Sequence, residues 1–324
     1  MKTATTAFAV FRLLDTPGIG PAKVREALDF ARTRGASLDE LLADPRSLAP
    51  IVREGQLGAL QSRRDRAFEI WEKLQAQGVD ALSIEDEPYP KLLVSRLGRQ
   101  APPLLFVRGN RELLAAPSLG FCGSRHASEK GLAVARACAD LVAREGINVA
   151  SGYAVGVDLA THRAALEEGG TTTVVLAEGI LHFRVKREVK DLWDWNRALV
   201  LSEHLPNVPW SVQNAMRRNS TICAACRAMV LIEARETGGS FEAGRACLKL
   251  GVPLFAPVYE GMPESAVGNR ILLTQGARPF KKNRTANAPN LRQVMDVLRA
   301  PTADAGSRSE LEMDAPRQQV PLFN

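Results

Sequence analysis

Apolar residues recur with two periods along this chain, and their alternation sets out its architecture. The clearest stretch is 118–177. There SLGFC reads as an apolar strand ending at Cys122, Gly123-Ser124-Arg125 as a turn, and the residues after Ser128 as an amphipathic helix. Ser128 suits the N-cap and Glu129 the first turn. Val134, Cys138, Leu141 and Val142 share one face at helical spacing, and Gly146 ends the run. INVAS, the turn from Gly152 to Gly156 and VDLATHRAALEEGG repeat the unit, and TTTVVLA supplies the next strand. Strand, helix, strand, helix, strand of these lengths predicts an α/β core, a doubly wound, mostly parallel sheet with right-handed crossovers. Its ligand crevice would lie at the carboxyl ends of the strands, where the glycine turns fall.

The same reading divides the rest. Residues 1–78 form a helical leader, with helices around Leu38–Leu42 and Gln56–Gln77. Its Pro17-Gly18-Ile19-Gly20-Pro21 stretch is similar to the hairpin of a helix-hairpin-helix motif. Two glycines would free a tight turn, and amides at a helix start can hold a phosphate. A plain connecting turn fits equally well. Residues 79–117, with ALSI and PPLLFVRG, read as a linker carrying one or two edge strands. The core occupies 118–299. LVLSEH is a candidate strand, a basic turn Arg217-Arg218-Asn219 opens a short helix, and Met229–Glu233 leads into Thr237-Gly238-Gly239-Ser240. A helix to Leu250, a strand Pro253–Pro257, a helix and strand in 264–280 and a last helix Asn290–Arg299 follow. The polar tail 300–324 is expected to be disordered.

Composition adds a modest constraint. Net charge is +6 with a pI near 9.2, which leans toward polyanionic partners. Five cysteines, an odd number in a long chain, argue against a disulfide framework and for a reducing, cytoplasmic setting. No apolar run approaches the roughly 20 residues that span a membrane, so no membrane partner is expected.

Three strands end in glycine turns at one predicted rim: Gly123-Ser124-Arg125, Gly152 to Gly156, and Gly238-Gly239-Ser240. Such turns let backbone amides approach an anion, and each following helix adds its positive end. With arginines beside two of them, phosphate binding is the favoured reading over tight turns alone. Neither a G-x-G-x-x-G fingerprint nor a P-loop occurs, so no dinucleotide or other cofactor is called for. Cys223 and Cys226 are a lone C-x-x-C without a second pair, which favours core packing over a metal site. His162, four after Asp158, reads as structural, and nothing resembles a hydrolase nucleophile motif.

Taken together, PGIGPAKV, YPKLL, PPLLFVRG, GSR at 123–125, SGYAVGVDLATHRAALEEGG, LSEHLPN, RRNSTICAACRAMVLIEA, TGGS and GNRILLTQGA resemble, in order and spacing, the DNA-processing protein A (DprA, also called Smf) family over residues 8–280. That resemblance implies an extended Rossmann-like domain behind a small helical leader. It also implies a non-enzymatic protein of transformation and recombination that holds single-stranded DNA in a basic pocket, hands it to a RecA-type recombinase and forms a homodimer through the core. By position, the pocket carries over to Gly123, Ser124 and Arg125, to Arg217, Arg218 and Asn219, and to Gly238, Gly239 and Ser240; Lys130, outside that carry-over, is read as assisting. Arg125, Arg217 and Arg218 would pair with phosphates, whereas Asn219 and Asp158 would hold the turns. This chain departs from the family at Ser220 and Val155, where basic residues are common, and at Pro257-Val258; no winged-helix pattern follows residue 300. A second reading takes Gly238-Gly239-Ser240-Phe241-Glu242 as loosely similar to the turn of LOG-like nucleotide phosphoribohydrolases. A third leaves the chain as an interaction scaffold.

Overall fold

The computed structural model describes residues 6–259, 264–283 and 288–301. The expected disordered tail lies, from residue 302 on, outside the described residues. The leader is helical: α1 (Thr6–Asp15), α2 (Pro21–Thr33), α3 (Leu38–Ala43), α4 (Glu54–Ser62) and α5 (Arg64–Ala76). The single helix expected over 56–77 is two helices meeting at Arg63, whose φ of −92° and ψ of 1° leave the helical basin. Arg63 also points inward, pairing with Asp15 at 3.0 Å, while Arg64 and Arg66 stay solvated. In the hairpin-like turn only Gly18 has a positive φ, +79°, and the Gln56 side chain donates to its carbonyl at 2.9 Å. Gly20 has an ordinary φ of −102° and serves as the N-cap of α2, so one glycine and not two is demanded by the backbone.

Nine strands form one sheet: β1 (Val79–Ser83), β2 (Leu104–Gly109), β3 (Ser118–Cys122), β4 (Asn148–Ser151), β5 (Thr172–Leu176), β6 (Ala198–Ser202), β7 (Ala228–Leu231), β8 (Leu254–Pro257) and β9 (Arg278–Phe280). Their order is β1-β2-β6-β5-β4-β3-β7-β8-β9, parallel except where β2 meets β1 and β6. Residues 79–117 thus extend the sheet itself, with β1 at its edge and β2 inside. Burial explains why β2 reads apolar at every position from Leu104 to Val107, since both faces are covered.

The remaining helices are α6 (Lys91–Leu97), α7 (Glu129–Arg144), α8 (Val157–Glu167), α9 (Val212–Ala225), α10 (Gly239–Lys249), α11 (Val267–Thr274) and α12 (Arg292–Arg299). On one face the leader packs over Phe106, Val174 and Val200, and α7, α8 and α12 pack over Phe121, Val149 and Val230. On the other, α6, α9, α10 and α11 cover Leu105, Val175, Leu199 and Leu231. Phe11 of the leader meets Phe106 of β2 edge to face, ring centres 6.1 Å apart, so the leader is docked through core aromatics. Strand order reverses between β3 and β7, the topological switch point of this sheet. The turns after those two strands therefore flank the crevice.

Candidate functional site

The rim is built from turns locked to one another. Across the switch point the Ser124 amide donates to the Glu233 carbonyl at 2.9 Å. The buried Glu233 carboxylate accepts from the Ser128 amide at 2.9 Å and the Ser128 hydroxyl at 2.5 Å, fixing the start of α7. The Ser124 hydroxyl accepts from the His126 amide at 3.0 Å. The second turn lies directly on the first: a Cβ on Gly156, whose φ is +87°, would come within 2.6 Å of the Ser124 carbonyl oxygen. Asp158 holds this turn, as expected of it, by accepting from the Ser151 hydroxyl at 2.9 Å and the Ala154 amide at 3.1 Å. His162 is structural too, but its ring bonds Thr172 Oγ1 and the Gly152 carbonyl, each at 2.6 Å, and not Asp158.

The third turn is open. Residues 235–239 are exposed, Gly238 has a φ of +104°, and nothing lies within 4 Å of where a Cβ on Gly239 would stand. Asn219 holds it, its side-chain amide donating to the Gly239 carbonyl at 3.2 Å. Ser240 follows in the first turn of α10.

The basic residues separate by position. Arg125 is exposed on the first turn, and Lys130 stands on the first turn of α7, 5.6 Å from the Tyr259 ring. Arg217, Arg218 and Asn219 do not form a turn that opens a helix. They lie within α9, which starts six residues before Arg218, at Val212, with the Ser211 hydroxyl accepting from Asn214 N at 3.0 Å as its N-cap. Successive helical residues point about 100° apart, so one arginine faces out and the next faces the sheet. Arg217 is the outer one and pairs at 2.6 Å with Glu203, a carboxylate only 1% exposed. Arg218 is 7% exposed, donates to the Val175 carbonyl at 3.3 Å and stands 4.0 Å from Asp158. Burial lowers the pKa of its guanidinium against the opposing pull of Asp158. Its Nε has no partner among the described residues. Arg218 is thus a buried cation beneath the rim, set apart from the phosphate-pairing surface position read from the sequence.

One component escaped the sequence. Trp210, in the loop before α9, is 46% exposed and lies 5.6 Å beneath the Arg125 guanidinium. Of the large apolar side chains exposed among the described residues, Phe68 is on the leader, while Val155 is in a rim turn and Trp210, Val212 and Met216 are in the loop before α9 and its first half. A tryptophan in an aperiodic loop, seven residues before Arg217, was the available signal, but hydrophobic periodicity gives such a loop no phase. Chemically the rim offers amides, cations and a π face. No group of three or more His, Cys, Asp or Glu among the described residues could hold a metal. All five cysteines are buried as free thiols, including Cys223 and Cys226. No helix among the described residues is long and apolar enough to cross a membrane.

Comparison with known proteins gives these features a context. The family model for DNA recombination-mediator protein A matches residues 80–288. DNA processing protein DprA of Streptococcus pneumoniae is 32% identical over 207 residues, 62% of this chain and 71% of that protein. Protein Smf of Escherichia coli is 32% identical over 197 residues, 60% of this chain but only 52% of its own length. The chain therefore spans about half of that relative. Among solved structures, DprA of Streptococcus pneumoniae superposes with a TM-score of 0.68 at 28% identity, covering 85% of this chain and 94% of that one. DNA processing protein A of Helicobacter pylori, solved for its single-stranded DNA binding mode, shares the fold with a TM-score of 0.53 at 21% identity, covering 62% of this chain and 90% of that one.

Proposed function

The chain belongs to the DNA recombination-mediator protein A family, and on that premise we propose that it binds single-stranded DNA along the switch-point rim without catalysing a reaction on it. The observation that carries this reading is the pairing of an exposed arginine, Arg125, with an exposed tryptophan, Trp210, at the rim. Single strands are held by a positively charged groove that follows the phosphates and by aromatic faces on which bases stack. Arg125 and Lys130 supply the charge, with Arg217 available at the side. The open Gly238-Gly239-Ser240 turn and the Gly123-Ser124 turn supply amides. Arg218 acts from below, as a buried positive charge whose field reaches the rim. Asn219 keeps the third turn in place. The bound strand is then passed to a RecA-type recombinase, and the protein works as a homodimer formed through the core.

A side-by-side titration tests this. Affinity should rise with oligonucleotide length, favour single strands over duplex and fall steeply with salt. Preferential binding of a nucleoside monophosphate, or release of free base from it, would replace this reading with the nucleotide hydrolase. Equal affinity for duplex and single strand would also overturn it.

A further inference from the structure

A cleft of about 820 Å³ opens between the leader, at Pro21 and Ala22, and the helices α9 and α10. It begins at the rim, because Arg217 and Glu242, the latter in the first turn of α10, both line it. Its wall then follows one face of α10 through Arg245 to Lys249, and Arg99 stands opposite on the turn after α6. Cations from three separate elements therefore converge on one groove.

The carboxylates there neutralise only part of this charge. Glu203 is engaged by Arg217 and by the Thr221 hydroxyl at 2.6 Å. Glu242 pairs with Arg245 at 3.4 Å, both side chains solvated, a contact too weak to hold Arg245 against a competing anion. The side chains of Arg99 and Lys249 make no hydrogen bond or ion pair among the described residues. Arg25 of the leader adds to the positive field. It donates to the Ala101 carbonyl, and its guanidinium is held below its ordinary pKa by burial and, in smaller part, by the like charge of Arg99. Two unpaired cations, Arg99 and Lys249, and a loosely paired third, Arg245, in a groove of this volume favour a polyanion.

The geometry points to a second stretch of DNA path: the sugar-phosphate backbone of a single strand leaving the rim runs down this cleft, its phosphates on Arg99, Arg245 and Lys249. The inference rests on the single-strand reading above and extends it. It also gives the leader a role. The hairpin-like turn before α2 walls the path instead of binding DNA by itself, and its bracing by Gln56 keeps that wall in place.

The test pairs the double variant Arg99→Ala/Lys249→Ala with single-stranded homopolymers of about 6 and about 30 nucleotides, one short enough to fill the rim alone. On the long strand, losing two phosphate contacts should flatten the log affinity against log salt slope by about 1.4. On the short strand the slope should match wild type. Lys249→Glu should weaken the long strand further by repulsion, and melting curves should be unchanged because both side chains are exposed. Equal slopes for variant and wild type on the long strand would overturn the cleft while leaving the rim intact, as would an equal loss on both lengths. Failure of the wild type to bind either strand would overturn the single-strand reading itself.

Discussion

The Arg125 guanidinium stands 5.6 Å from the centre of the Trp210 ring, joining the turn after β3 to the loop that leads into α9. An arginine placed this way can face a phosphate while the tryptophan face takes a base, and the two contributions separate experimentally. Trp210→Ala should weaken single-strand binding by about 1–3 kcal/mol, roughly 5- to 150-fold, with the salt slope unchanged. Arg125→Ala should flatten the slope by about 0.7. Trp210→Phe should retain most of the affinity. Titrations at several salt concentrations check all three, and an abasic strand should be insensitive to Trp210→Ala.

Arg218 should show the opposite signature. It is buried near Asp158, so Arg218→Met removes a cation from an enclosed carboxylate and should cost about 1–3 kcal/mol of stability. The salt slope of DNA binding should stay close to wild type, because the guanidinium faces Asp158 and the Val175 carbonyl and pairs directly with no phosphate. Thermal melting and salt titration of the same variant decide it. A flattened slope with unchanged melting would place Arg218 on the phosphates.

Gly156→Ala tests the stacking of the first two turns. The position combines a φ of +87° with a backbone carbonyl where the Cβ would go, so neither rotation nor side-chain repacking relieves the strain. A loss of about 1–3 kcal/mol in unfolding free energy is expected. DNA affinity should fall as well, since the displaced atoms belong to Ser124 and Arg125. Gly20→Ala, where φ is ordinary and the space is open, should melt like wild type.

Acidification should destabilise the fold through His162. Burial holds this ring below its ordinary pKa, so it stays neutral when folded, bonded to Thr172 and Gly152. The unfolded chain takes up that proton below about pH 6.5, while the folded chain resists it to lower pH. More protons bound in the unfolded state means stability is fully present above that value and lost as pH falls through the window beneath it. His204, whose pKa burial also lowers, acts in the same direction. Melting temperature measured from about pH 8 to about pH 5 should therefore drop in the wild type and drop less in His162→Gln.

Much of this molecule was legible in order along the chain. Ser128 caps α7 where the pattern placed it, the glycine turns follow β3 and β4, and the switch-point sheet follows from alternating periods of two and 3.6 residues. These are local properties, set by which residues tolerate a turn, cap a helix or bury one face. Even the role of Asp158 as a turn holder belongs to this class, since it bonds the Ala154 amide four residues before it, whereas Asn219 holds a turn twenty residues later and depends on the packing of α9 against α10. Other features depended on packing between distant segments. Whether Arg217 or Arg218 faces solvent is set by the rotation of α9 against β5, where Val175 meets Arg218. That β2 lies inside the sheet depends on its pairing with β6, some ninety residues later. Trp210 comes to lie under Arg125, and the leader comes to wall a basic cleft beside α10, only when the sheet brings together residues with no sequence relation. Periodicity determines which face of an element is apolar; the closing of the core decides which surfaces then share a groove.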